Sequence, residues 1–409
     1  MELRILPEDA RNPVFYSRAA MVKWRHFVAR RADFMRNSRI AFILWLLSIV
    51  AFVVSAAQRE AQLGALIFST IVFALLMGLY LMFSDVRIAD ALPQFSRNGG
   101  EYGLPGFLFL LYVILVLIAR IANPVIAIVV AGATLWVPVG LWSRNEEALT
   151  PVQAVAGLAV LLIPLGADVV FGARLDTTEL ALRLGAFALP ALLLLLTTRE
   201  QKSRLNFYFA SAVLFMWYSV EFGAASDVGL PIGAELIGYM KLALIVLFLY
   251  VVTLSQRLPE VGFTFSLNRR DWREALINFA LFGIIAIPIG LLTGFIKPST
   301  ALPSLLEIAG RGIAIFLFIA LPEEILFRGV IHRYLERVLR WSQAATLILS
   351  SLIFGAAHLN NPPNVGYYFI LATIAGIFYG RTLLRTGKVV PAAIVHLGVD
   401  WMWSVFFAG

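Results

Sequence analysis

Residues 305–330 read LLEIAGRGIAIFLFIALPEEILFRGV. The run is apolar over the length a helix needs to cross a bilayer, about 20 residues. Lipid offers no water to an open backbone, so a segment of this kind is helical. Working outward, apolar runs recur near residues 40–57, 62–84, 104–119, 121–142, 151–172, 184–198, 206–222, 234–254, 274–296, 343–359, 366–384 and 389–407. The runs lack the alternation of a barrel strand. The expectation is an all-α, polytopic transmembrane helical bundle of about 13 spans.

Composition agrees. Of 409 residues, 60% are hydrophobic and 14% are charged, with a mean hydropathy of +0.84. A soluble domain is nearer half apolar and a quarter charged, so a soluble enzyme, a disordered chain and a fibrous repeat are excluded. The chain has no cysteine, which removes disulfide scaffolds, thiolate metal sites and sortase-like chemistry. The net charge of +8 fits cationic loops on the cytosolic side. No basic block interleaved with aromatics suggests nucleic acid.

Loop charges set an expected topology. Arg87, Arg97, Arg144, Arg199, Lys202, Arg204, Arg257, Arg269, Arg270, Arg273, Arg333, Arg337, Arg340, Arg381, Arg385 and Lys388 fall in alternate loops, and the intervening loops carry fewer. The positive-inside rule then predicts a cytosolic N-terminus and an external C-terminus. Residues 1–39 form a basic arm without a signal peptide. The polar loop 255–274 marks a boundary. Three parts are expected: the arm 1–39, an N-terminal membrane domain 40–258 of about eight spans, and a C-terminal membrane domain 259–409. Asp168, Glu221, Glu235 and Lys241 are scattered in or beside the N-terminal spans without a motif.

Ionisable residues inside a span are costly, and each is a functional candidate. They concentrate in three clusters. Pro322-Glu323-Glu324 leads to Arg328. Adjacent carboxylates lie ~100° apart on a helix, so Glu324 pairs with Arg328 at i,i+4 and Glu323 faces elsewhere. A second cluster runs from Phe354 to His358 through Gly355-Ala356-Ala357, small residues that admit a close helix neighbour. The third places His396 and Asp400 at i,i+4, roughly 5–6 Å apart on one face, either orienting an imidazole or presenting two metal ligands. His332, nine residues past Glu323, points to the opposite side of a continuous helix, sits in the basic amphipathic stretch Arg328–Arg340, and is expected at the interface and not catalytic; His26 lies in the basic arm. For the three clusters to share one depth, either the Glu323 helix runs through to about Arg340, the reading preferred because Arg333, Arg337 and Arg340 can snorkel, or the 343–359 helix is short and tilted.

The order Glu-Glu-x-x-x-Arg, Phe-x-x-x-His and His-x-x-x-Asp resembles the CPBP intramembrane proteases, also called the Abi or type II CAAX prenyl endopeptidase family. The likeness covers about residues 265–409. It implies endoproteolysis of a membrane-embedded or membrane-anchored protein or peptide within the lipid bilayer. Glu323 would activate water with help from His358, and His396 with Asp400 would stabilise the oxyanion. Glu324, Arg328 and Phe354 would support them. Members are also described as metalloproteases, and Glu323, His358, His396 and Asp400 form a plausible ligand set for a divalent metal such as zinc; the sequence leaves both mechanisms open. An ionised Asp400 cannot donate to an oxyanion, so Asp400 is either protonated and donates directly, or ligates a metal, or accepts from His396 and orients it, the role expected here. Two other readings stand beside this one: a transporter built on the N-terminal spans, and a non-catalytic immunity or binding member of the same family. The expected location is a prokaryotic cell membrane.

Overall fold

The computed structural model describes residues 39–54, 63–83, 189–194, 206–221, 242, 245, 246, 248, 249, 264–361 and 364–408. The basic arm, the runs at 104–172, the boundary at 258–259, and Asp168, Glu235 and Lys241 lie outside them. The described part is mostly helical. In chain order it comprises α1 (Arg39–Val54), α2 (Leu63–Phe83), α3 (Phe207–Glu221), α4 (Arg269–Leu292), β1 (Lys297–Pro298), α5 (Leu305–Leu339), α6 (Gln343–Ala356), α7 (Val365–Thr386), α8 (Val389–Phe406) and β2 (Phe407–Ala408). Four of these, α4, α5, α7 and α8, are long and apolar enough to cross a membrane.

Helix α4 begins at a reciprocal cap. Asn268 Oδ1 accepts from Asp271 N at 3.0 Å, and Asp271 Oδ2 accepts from Asn268 N at 2.8 Å. Its buried stripe, Ala275, Asn278, Phe282, Ala286 and Gly290, repeats at helical spacing. Leu276, Ile284 and Leu292 point outward, as lipid-facing residues do. Helix α8 runs parallel to α4. At one end Lys388 Nζ bonds Asp271 Oδ2 at 2.6 Å and the Ser266 carbonyl at 2.8 Å. At the other, β1 pairs antiparallel with β2, and Ser299 N donates to Phe406 O at 2.8 Å. This two-residue ladder was not foreseen in an all-α chain. It satisfies backbone groups that the helix ends leave open.

Helix α5 spans 35 residues, about 52 Å at ~1.5 Å per residue. A Ser304–Glu307 capping box opens it. Two π-helical stretches, Phe316–Ala320 and Ile325–His332, flank Leu321–Glu324. Pro322 supplies the cause: it has no N–H to donate, and its ring crowds the carbonyl one turn earlier, so the turn before it opens. Arg340, at φ 52°, caps the helix in the left-handed region. The helix therefore does run through to about Arg340, with Glu323 at its middle.

Helix α6 is short, and α7 packs on it closely. A Cβ added to Gly355 would collide with Thr373 Oγ1 and come within 2.7 Å of the Phe369 carbonyl oxygen. The N-terminal helices join the bundle through α5. Phe52 of α1 stacks on Phe73 of α2 at 4.5 Å, and Phe73 meets Phe318 at 6.2 Å. Phe209 of α3 packs on Tyr334 at 4.7 Å.

Candidate active site

The adjacent carboxylates separate as the helix geometry requires. Glu324 is fully buried, whereas the Glu323 side chain is 30% exposed and lines a cavity. Glu324 Oε2 forms an ion pair with Arg328 Nε, 3.0 Å away. Arg328 is itself 2% exposed. Its Nη2 donates to the Gly376 carbonyl at 3.0 Å, and its guanidinium lies over the rings of Phe354 at 4.5 Å and Tyr379 at 5.3 Å. Charge, carbonyl and ring faces together offset what burial costs this cation.

Glu324 has a second partner. Its Oε1 lies 3.1 Å from His396 Nδ1. The other ring nitrogen, Nε2, is 3.3 Å from Asp400 Oδ2 and 3.9 Å from Glu323 Oε2. His396 is thus held between carboxylates from two helices. A ring nitrogen donates to each side only as the cation; a neutral ring can donate to one carboxylate and accept from a protonated other. Tyr379 stacks on the imidazole, with centroids 4.7 Å apart and planes at 17°, and Phe354 meets it edge-on at 5.8 Å.

His358 lies in the turn just past α6. Its Nδ1 is 2.9 Å from the Phe354 carbonyl oxygen. A carbonyl only accepts, so Nδ1 carries the proton and Nε2 presents a lone pair. Phe354 therefore sets the tautomer of one histidine with its backbone and borders the other with its ring.

Glu323, His358, His396 and Asp400 all line a single cavity of about 1760 Å³. The seven residues singled out from the sequence thus form one connected site, four on the cavity and Glu324 and Arg328 behind it, with Phe354 reaching both. Two features escaped the sequence. One is the Glu324–His396 contact. The other is Tyr379, an aromatic residue in an apolar helix that gives no signal until the fold stacks it on His396. His332 departs from expectation. It is 1% exposed, its Nδ1 lies 2.9 Å from Ser350 Oγ, and it is absent from the cavity lining. It is buried between α5 and α6 and not on the exposed side of the helix, and, as expected, it takes no part in the cavity.

Zinc would need several of these side chains to converge. Among the described residues, no group of three His, Asp or Glu side chains is placed to hold a metal ion, and both His396 nitrogens already face carboxylates. The residues as arranged do not fit a resident divalent metal.

Residues 305–402 match the family model of type II CAAX prenyl endopeptidase Rce1-like proteins. No curated protein and no solved structure matches the chain. The matched segment begins with α5 and ends just past Asp400, so it contains all three clusters, and its helices are of membrane-spanning character. Residues 305–402 are thus similar to the Rce1-like type II CAAX prenyl endopeptidases, a protease family, within a chain whose helices are of membrane-spanning character.

Proposed function

We propose that the protein is an intramembrane endopeptidase that cleaves a membrane-embedded or membrane-anchored protein or peptide by water that Glu323 activates. One observation carries this reading. Of two adjacent carboxylates, Glu324 is locked to Arg328 and His396, while Glu323 opens on the cavity that His358, His396 and Asp400 share. A general base must reach a water molecule, and the cavity gives Glu323 that access while Glu324, fully buried behind it, has none.

Glu323 takes a proton from water as its oxygen attacks the scissile carbonyl. The lone pair at His358 Nε2 accepts the second water proton in a hydrogen bond and aims the nucleophile. The carbonyl becomes a tetrahedral oxyanion that shares the His396 Nε2–H with Asp400, which orients the ring, while Glu324 steadies it at Nδ1 from the far side. A donor fixed before the reaction costs no reorganisation when charge develops. The intermediate collapses when Glu323 returns its proton to the amide nitrogen, so the C–N bond breaks and the carboxylate is restored. Residues 259–409 form the protease unit in this proposal, and the chain sits in a prokaryotic cell membrane with its N-terminus in the cytosol.

The test is cleavage of a library of membrane-anchored peptides by purified protein, wild type against Glu323→Gln. Wild-type cleavage and a loss of about 10²–10⁴-fold in the variant, with an unchanged melting profile, is the expected result. Equal rates would remove Glu323 from the mechanism.

A further inference from the structure

The cavity holding Glu323 and His396 is not walled by the protease helices alone. Ala51 and Val54 of α1, Met216 and Trp217 of α3, and Phe248 and Leu249 farther along line the same space. These side chains are apolar; Ser48 of α1 also lines the space, with its hydroxyl donating to the Trp45 carbonyl at 2.7 Å, and among the described residues this side brings no carboxylate or imidazole. The carboxylates and imidazoles of the site come from α5, α8 and the turn after α6. The cavity therefore has a reactive side and an inert side, and the inert side belongs to the segment before residue 259.

Attachment of that segment reinforces the point. It grips α5 at two levels, one on each side of Glu323. Five residues before it, Phe318 meets Phe73, on which Phe52 is stacked. Eleven residues after it, Tyr334 packs on Phe209 and accepts a hydrogen bond from the Asn206 backbone N–H. Asn206 is also the cap of α3, its Oδ1 accepting from Tyr208 N at 2.9 Å. Trp45 ties α1 to α2 through the Ala74 carbonyl at 2.8 Å. Helix α5 thus carries the candidate base and also holds the wall opposite it.

The size of the space names its occupant. Small-molecule sites run to about 300–1,000 Å³, and this cavity is about 1760 Å³. A helix ~11 Å across with a pitch of ~5.4 Å fills roughly 500 Å³ per turn. The cavity takes about three turns' worth of polypeptide, which suits an apolar transmembrane segment partly unwound at the scissile bond.

We infer that the N-terminal helices are the specificity wall of the protease: α1 and α3 contact the side chains that flank the scissile bond and sort transmembrane substrates by bulk. The inference rests on the protease reading, and two readouts keep them apart. The first is cleavage by the full-length protein of paired membrane peptides with Ala or Phe beside the cleaved bond. Ala51→Trp fills the wall and is expected to slow the Phe peptide at least about tenfold, leaving the Ala peptide within about twofold; Trp217→Ala should shift preference toward Phe. Differences of this kind lie within the range that one pocket contact supplies, about 10–200-fold. Equal effects on both peptides, or none on either, would overturn the inference. The second readout is photo-crosslinking of a transmembrane peptide carrying diazirine-leucine to full-length Glu323→Gln protein. Crosslinks in residues 47–54 or 216–217 are expected. Crosslinks confined to residues 305–406 would overturn the wall even where wild-type cleavage persists. Crosslinks to the wall without wild-type cleavage would uphold it and refute the protease reading instead.

Discussion

Arg328→Ala is the most informative single change in this structure. The guanidinium holds Glu324 at 3.0 Å, bonds the Gly376 carbonyl and covers two rings, all with 2% exposure. Its removal leaves Glu324, which is fully buried, with the His396 Nδ1 contact at 3.1 Å but without its guanidinium. Breaking a buried pair from one side costs about 3–5 kcal/mol, a large share of the roughly 5–15 kcal/mol that separates a folded domain from its unfolded state. The cost comes from leaving that carboxylate buried without its guanidinium, not from losing an attractive bond. It follows that removing both charges should hurt less than removing one. Glu324→Gln with Arg328→Met, which keeps volume and discards both charges, is expected to recover at least about 2 kcal/mol of the loss. The assay is a double-mutant cycle on detergent-solubilised protein, read by thermal melting or by resistance to a mild denaturant. If Arg328→Ala melts with the wild type, or the double variant is no better than the single one, the account of Glu324 as a charge held in place by Arg328 fails.

Three further outcomes are expected. Asp400→Asn should lower turnover by about 10²-fold or more, because the amide no longer holds the His396 Nε2–H at 3.3 Å as a carboxylate does, and a chelator should leave the wild type unchanged; near-normal turnover in a peptide-cleavage assay would show that Asp400 does not orient the ring. Gly355→Ala should cost about 1–3 kcal/mol in a melting experiment, because its methyl would meet Thr373 Oγ1 and the Phe369 carbonyl. Tyr379→Phe should retain most activity and Tyr379→Leu should lower kcat with little change in KM, since the stacked ring at 4.7 Å positions His396; equal losses in both would point to the hydroxyl.

How much could be read beforehand depends on range along the chain. Glu324 with Arg328, and His396 with Asp400, are i,i+4 pairs, and the helical repeat alone joins them. The divergence of Glu323 from Glu324 follows from the same repeat. The long reach of α5 was legible from the need for Glu323, His358 and His396 to meet at one depth. The Glu324–His396 contact spans 72 residues, and no local periodicity encodes which nitrogen will meet which oxygen. His332 was misplaced for a different reason. Its basic neighbours suggested a water-facing turn, whereas its ring is buried against Ser350 of α6, a partner 18 residues away that only the tertiary fold supplies. The N-terminal runs carry length and hydropathy but no spacing that says what they face, so their share in the cavity wall emerges only from packing.

Helix α8 is pinned at both ends to α4: Lys388 to Asp271 and Ser266 at one end, the β1–β2 ladder and Ser299 to Phe406 at the other. Mechanically this is a beam clamped at both supports. Sliding it along its axis would break both fastenings at once, and twisting it would shear the ladder. His396 and Asp400 therefore occupy fixed coordinates relative to α4, and their helix cannot be the moving part when a bulky chain is admitted. Any movement that admits a bulky chain then has to come from helices other than α8, and α1, tied to α2 through Trp45 and Phe52, lines the same cavity from another side. A substitution that stiffens α1 should then slow entry of substrate without touching the geometry around His396.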